Sequence, residues 1–128
     1  MKNRVTGLGG FFFKTEDPDA IKTWYKKHLG LPTDAYGCTF KWKDTAGKEG
    51  TTQWSPMPKD TPYFEPSKSS FMMNFRVENL VELLAALKEE GVTIVGEIET
   101  YDYGKFGWIL DPEGNKLELW EPIDTAFL

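Results

Sequence analysis

Two short apolar runs, one near the N-terminus and one in the middle of the chain, begin alike and lead into a helix. Gly10-Phe11-Phe12-Phe13-Lys14-Thr15-Glu16-Asp17 resembles Met72-Met73-Asn74-Phe75-Arg76-Val77-Glu78-Asn79. In the first copy Asp17 is a good N-cap, and Pro18 takes the first helical position, where its missing N–H costs nothing. The helix runs to about His28, and Gly30 is placed to end it in the left-handed conformation. In the second copy Asn79 caps, and Glu82 three residues on completes a capping-box-like pattern. Leu80, Leu83, Leu84 and Leu87 then follow an i, i+3, i+4, i+7 spacing, which buries one helix face, and Gly91 ends it. The likeness resumes further on: Thr51-Thr52-Gln53-Trp54-Ser55-Pro56 matches Leu117-Glu118-Leu119-Trp120-Glu121-Pro122, with Trp and Pro at the same offsets. Each copy therefore reads as strand, helix, then strands ending in Trp-x-Pro. The middle strands are expected at 36–43 and 50–54 in the first copy and at 93–99, 104–110 and 116–121 in the second. Asp111-Pro112-Glu113-Gly114 joins the last two with type I turn chemistry. The expectation is a single domain over 1–128. Module one spans about 5–56, a Pro-, Lys- and Ser-rich linker 57–70, module two about 71–122, and a tail 123–128.

Period-two alternation assigns the faces of the strands. Phe71, Met73, Phe75 and Val77 share the side that packs on the helices, with Leu117 and Leu119. Met72, Asn74 and Arg76 point the other way, as do Lys116, Glu118 and Trp120. If the two copies pair into one curved sheet, this second face lines a concave cup containing Asn74, Arg76, Glu118, Trp54 and Trp120. Polar groups converging among aromatics describe a small-molecule site. The alternative is a solvated face on which Arg76 and Glu118 are surface charges worth little. The neighbouring Trp120 argues against full exposure, and a carboxylate beside a buried ring has its pKa raised.

Composition narrows the classes. Fifteen Lys and Arg against 20 Asp and Glu leave a net charge of −5, which argues against a nucleic-acid groove. No apolar run reaches membrane-span length and the N-terminus lacks a signal-peptide layout, so the expected location is the cytoplasm. The lone cysteine, Cys38, excludes an internal disulfide and a Cys-based metal cluster. With no histidine beside it, Cys38 reads as a small core residue on a strand rather than a nucleophile. Aromatics at 15% can fill a core or line a cup.

The capped helix running into Leu29-Gly30-Leu31 and the segment Asn74-Phe75-Arg76-Val77 point to one family. So, most specifically, does the closing stretch Gly107-Trp-Ile-Leu-Asp-Pro-Glu-Gly-Asn-Lys-Leu-Glu-Leu-Trp-Glu-Pro122. Together they resemble the vicinal oxygen chelate superfamily, the glyoxalase and bleomycin-resistance group, over nearly the whole chain. The resemblance implies an α+β fold of two β-α-β-β-β modules paired into an open, U-shaped mixed sheet around a cup, and commonly a homodimer. Metal-dependent members hold a divalent ion through four side chains, two per module. Carried over, those positions fall at Gly10, Thr52, Met72 and Glu118, and only Glu118 retains a usual ligand type. His28, the sole histidine, lies at the end of the first helix, where it suits the helix C-terminus better than a metal.

Two functions follow from this reading, neither requiring a cofactor. The first is a binding protein whose cup holds a small organic molecule against Phe12, Trp54, Met72, Trp108 and Trp120, with Asn74, Arg76 or Glu118 fixing polarity. The second is a metal-independent isomerase or lyase in which Glu118 is the general acid or base. In that case Tyr101 and Tyr103 would donate hydrogen bonds to a developing oxyanion, or serve simply as strand-edge aromatics. Gly104 and Gly107 around Lys105 make either a flap over the cup or bulge and turn positions. A third possibility is a cup plugged by Met72, Phe12 and the Trp side chains. The tail is expected to dock its apolar end, within the chain or across a dimer.

Overall fold

The structure is a computed structural model and describes residues 4–127. Strand β1 (Val5–Thr15) leads into helix α1 (Pro18–Leu29), then β2 (Cys38–Lys43) and β3 (Glu49–Pro58). A short 3-10 turn (Pro62–Phe64) precedes β4 (Phe71–Val77), α2 (Leu80–Glu89), β5 (Ile94–Tyr101), β6 (Gly104–Leu110) and β7 (Lys116–Pro122). A second 3-10 turn (Asp124–Ala126) follows; Leu128, at the end of the tail, lies outside the described residues. Seven strands form one open mixed sheet in the order β2-β3-β1-β4-β7-β6-β5. β1 runs parallel to β3, β4 runs parallel to β7, and β1 and β4 meet antiparallel at the centre. The two modules are thus arranged as the repeat implies.

The first module contributes three strands and the second four, so the first is β-α-β-β rather than β-α-β-β-β. The difference lies in residues 30–37. Pro32 has no N–H to give a ladder. Asp34 Oδ1 accepts from the backbone N–H groups of Tyr36 and Gly37 at 2.8 and 3.0 Å. Lys22 Nζ donates to the Ala35 carbonyl at 2.8 Å, tying the segment to α1. Local side-chain bonds of this kind draw backbone groups away from strand pairing. β2 consequently begins at Cys38, two residues later than expected.

Both helices start as their sequences dictate. Asp17 accepts from Ala20 N–H at 3.0 Å with Pro18 in the first turn, and Gly30 ends α1 at φ +70°. Asn79 accepts from Glu82 N–H at 3.1 Å and also donates to the Glu82 carboxylate. The two helices pack very differently. Leu80, Leu83 and Leu84 of α2 join Val77, Ile109 and Leu119 in a buried cluster extended by Phe75, Leu87 and Leu117. No residue of α1 is fully buried; Tyr25 rests on Trp54 with ring centroids 4.7 Å apart. At about 1.5–3 kcal/mol per buried aliphatic side chain, the α2 side carries most of the hydrophobic stabilisation.

That asymmetry gives a stability prediction. Leu83→Ala should cost about 2–5 kcal/mol in urea denaturation, as expected for a core truncation. Val81→Ala, on the exposed face of the same helix, should change stability by no more than about 0.5 kcal/mol.

Candidate functional site

The site is built outward from the central seam. Gly10 pairs with Asn74 across β1–β4 and with Gln53 across β1–β3, while Phe12 pairs with Met72 and Ser55. Asn74 pairs in turn with Glu118, and Arg76 with Trp120. Directly paired residues face the same side of a sheet. Over this face opens a cavity of about 800 Å³, whose lining includes Phe12, Gln53, Asn74, Phe106, Glu118 and Trp120. A glycine bulge makes the floor. Gly9 falls in an irregularity of the β1–β4 register, and a Cβ there would collide with Asn74 Oδ1 and press on Trp120 Cε3 at 3.0 Å.

Glu118 is 1% exposed. Asn74 Nδ2 donates to its Oε1 at 2.6 Å, Trp108 Nε1 donates to its Oε2 at 2.9 Å, and the Tyr63 hydroxyl donates to the same Oε2. Burial pushes the carboxyl above its usual pKa, and the three donors and the charge of Lys116 pull it back only in part. The Tyr63 phenol is displaced strongly upward, first by burial and then by the Glu118 charge. Burial lowers the Lys116 ammonium; it donates to the Tyr63 carbonyl at 2.8 Å. Tyr63 comes from the segment expected to be a featureless linker. Its neighbour Phe64 is fully buried with Met72 and Trp108, so this strap fills one end of the concave face and leaves the rest open.

The other end is closed by an ion pair. Arg76 is 5% exposed and donates to both oxygens of Asp124, Nη1 to Oδ1 at 2.7 Å and Nη2 to Oδ2 at 2.5 Å. Its guanidinium lies between the rings of Trp42 and Trp120, 5.0 and 5.3 Å from their centroids, and also donates to the Thr51 carbonyl at 3.2 Å. Burial opposes the charge on Asp124, but the hydrogen bonds and charge of Arg76 outweigh it and hold the carboxyl below its usual pKa. The ion pair pins the tail, and Phe127 packs against Tyr103 and Trp120 at the edge of the cup.

Several expected site residues therefore stand elsewhere. Trp54 is not in the cup but on the α1 side, against Tyr25 and Phe13. Thr52 also turns away, accepting from Trp42 Nε1 and donating to the Leu8 carbonyl. The concave positions of β3 are Gln53 and Ser55, so matching the two Trp-x-Pro segments puts the repeat one residue out of phase, and a one-residue slip exchanges faces. Arg76 is engaged by Asp124 rather than offered to a ligand. Met72 and Trp108 lie beneath the strap. Tyr101 and Tyr103 stack on one another at the rim; the tyrosine bonded to Glu118 is Tyr63, not Tyr103. Gly104 and Gly107 belong to β6, which is paired on both edges, and form no flap. Cys38 is buried on β2, where desolvation raises its thiol.

Residues missed from sequence are Tyr63, Phe64, Gln53 and Asp124. Only Gln53 had a readable signal, the period-two alternation of its own strand.

The donor set does not fit a divalent ion. Around Glu118 the concave positions present Gly10, Phe12, Met72, Asn74, Gln53 and Ser55, and among the described residues no three His, Cys, Asp or Glu side chains gather at one point.

The profile of the Glyoxalase/Bleomycin resistance protein/Dioxygenase superfamily matches residues 7–119, and the chain belongs to this superfamily. A search of curated proteins found no match. Among solved structures, the methylmalonyl-CoA epimerase from Mycobacterium tuberculosis superposes with a TM-score of 0.64 at 22% identity, covering 98% of this chain and 94% of that one. A Streptomyces coelicolor methylmalonyl-CoA epimerase in complex with 2-nitronate-propionyl-CoA gives 0.68 at 16% identity, covering 93% and 99%. A superfamily member from Vibrio splendidus gives 0.57 at 13% identity, covering 89% and 98%. At these identities the likeness is one of fold. No helix among the described residues is long and apolar enough to cross a membrane.

The two buried acids, Glu118 in the cup and Asp124 at its closed end, titrate with opposite sign. The folded pKa of Glu118 is raised. Its contribution is therefore most favourable below the ordinary value of about 4.3 and is lost as pH rises through the folded value. Glu118→Gln should flatten that decline when unfolding free energy is followed by urea titration between about pH 4 and 8. Asp124, with a lowered folded pKa, contributes above about pH 3.9 and loses that contribution on acidification. Asp124→Ala should cost about 3–5 kcal/mol at neutral pH by leaving Arg76 buried without its counter-charge, measured by the same titration.

Proposed function

We propose that this chain is a glyoxalase/bleomycin-resistance-like protein that binds a small organic molecule in its aromatic cup and performs no metal chemistry there. The observation that carries the reading is the open cavity of about 800 Å³ beside a carboxylate already engaged by three donors of its own chain. Its volume suits a drug-sized ligand. Phe12, Phe106 and Phe127 supply apolar surface for a flat molecule, with Trp120 stacked behind Phe106. A carboxylate has about four lone-pair directions, and Tyr63, Asn74 and Trp108 occupy three, which favours a structural anchor over a proton carrier. No cofactor enters this reading. A cytoplasmic location and a homodimer belong to it through the family resemblance and the lone cysteine.

A second reading, a metal-independent isomerase or lyase with Glu118 as general acid or base, has two observations in its favour. Burial raises the Glu118 pKa, as acid catalysis near neutrality requires, and two of the structural neighbours are named epimerases.

Titration with the neutral planar dye Nile red tests the binding reading. A blue-shifted, saturable emission is expected, and Phe106→Ala, which removes the ring stacked on Trp120 at 5.9 Å, should weaken binding about tenfold. No saturable binding, or binding indifferent to Phe106→Ala, would reject the cup as a ligand site.

A further inference from the structure

The two edges of the sheet each bring a carboxylate and a tyrosine to the same cavity. Asp34 and Tyr36 lie in the segment before β2, at one end of the strand order, and Glu99 and Tyr101 lie on β5, at the other. All four line the cup. Each carboxylate is steadied by neutral donors through one oxygen. Asp34 Oδ1 accepts from the N–H groups of Tyr36 and Gly37, and Glu99 Oε1 accepts from the Tyr101 hydroxyl. Neither joins an ion pair among the described residues. The tyrosine rings are exposed, and Tyr101 lies flat on Tyr103 with centroids 5.3 Å apart. Tyr103 continues onto Phe106 and Phe127, so the aromatic wall runs from the rim inward.

No cation offsets these charges. Glu118 is the third carboxylate of the lining, and no Lys, Arg or His among the described residues lines the cup. Arg76 is paired with Asp124. The charge of Glu99 reaches Lys116, but that ammonium donates to the Tyr63 carbonyl and lines a separate hollow behind the strap. The three acids do not gather at one point. Negative charge is instead spread along an aromatic cavity, which suits an extended cation better than a metal ion.

We propose that the ligand of this cup is a flat aromatic cation. Its positive edge lies at the rim against the faces of Tyr101 and Tyr103 and the free oxygen of Glu99, and its ring system runs inward along Phe106 and Phe12. Asp34 and Tyr36 add to the field from the opposite edge of the sheet. The proposal rests on the binding reading above and specifies its ligand. A cation whose charge is spread over a ring is weakly hydrated, so an aromatic cup desolvates it readily, whereas a compact ammonium gives up a tight water shell. Attraction to each tyrosine face adds to the Coulomb term. An anion of the same shape meets three carboxylates with nothing to offset them.

The test uses three probes built on one ring system, N-methylacridinium, acridine and acridine-9-carboxylate. They are titrated by fluorescence at mildly alkaline pH, where acridine is uncharged. The cation should bind at least about tenfold more tightly than acridine, and the carboxylate most weakly. Glu99→Gln, which keeps an acceptor for Tyr101, should cut the cation-to-neutral affinity ratio by at least about threefold. Glu89→Gln makes the same change of net charge at the exposed end of α2, outside the lining, and should leave that ratio unchanged. Equal or tighter binding of acridine or its carboxylate overturns the proposal. So does a ratio that Glu99→Gln leaves unchanged, or that Glu89→Gln lowers as much. Failure of the cation to bind while Nile red binds also overturns it; if Nile red fails too, the binding reading itself falls.

Discussion

The antiparallel seam between β1 and β4 is the constraint on which the rest depends. It joins the two modules, and its register decides which side chains meet over the floor. Gly10 opposite Asn74 and Phe12 opposite Met72 place one small and one large pair in succession. The ring of Phe12 reaches over Gly10, and Met72, with Phe64 over it, fills one end. A bulge at Gly9 lets Asn74 and Trp120 lie directly on the backbone of β1. Any side chain at Gly9 would separate the modules where their polar groups converge.

Around that seam the protein distributes three buried charged or polar groups in different ways. Arg76 and Asp124 form a paired unit with near-complete hydrogen bonding, the condition under which a buried ion pair is tolerated. Glu118 has no cation in direct contact and relies on neutral donors, so burial dominates and its proton is held more tightly. Asn74 links Glu118 to the floor but leaves its own acceptor over. The polar network is therefore complete at the tail end and leaves one buried acceptor, packed on Gly9, at the centre.

The duplicated parts of the fold were legible in the sequence because they rest on local chemistry. Asp17, Pro18, Gly30, Asn79 and the leucine stripe of α2 each act within a few residues. Alternation along β4 and β7 correctly put Asn74, Glu118 and Trp120 on one face, since both strands are regular where they pair. Trp54 was misplaced because a motif was matched in place of a phase; Trp-x-Pro recurs, but β3 carries it one residue out of step with β7. The missing first-module strand had a readable cause in Pro32 and Asp34, whose turn chemistry competes with a ladder. Tyr63, Phe64 and Asp124 had no periodic signal at all. They lie outside the repeat, and their partners Glu118, Met72 and Arg76 are distant in sequence, so only the folded chain brings them together.

The division between repeated and unrepeated segments also bears on how such a cup acquires specificity. The sheet alone would offer a long concave face with a carboxylate near its middle and a guanidinium at one end. The strap removes one portion of that face by inserting Phe64 and occupies Glu118 with Tyr63. The tail neutralises the guanidinium with Asp124 and sets Phe127 at the rim. The tail removes a charge from the cup, the strap fills space without cancelling one, and neither adds a cation to the lining. What remains is aromatic surface with the carboxylates of Asp34, Glu99 and Glu118, and no cation in the lining among the described residues. Because these segments lie outside the strands, their sequences can change without disturbing the seam, and the same floor can then serve ligands of different chemistry.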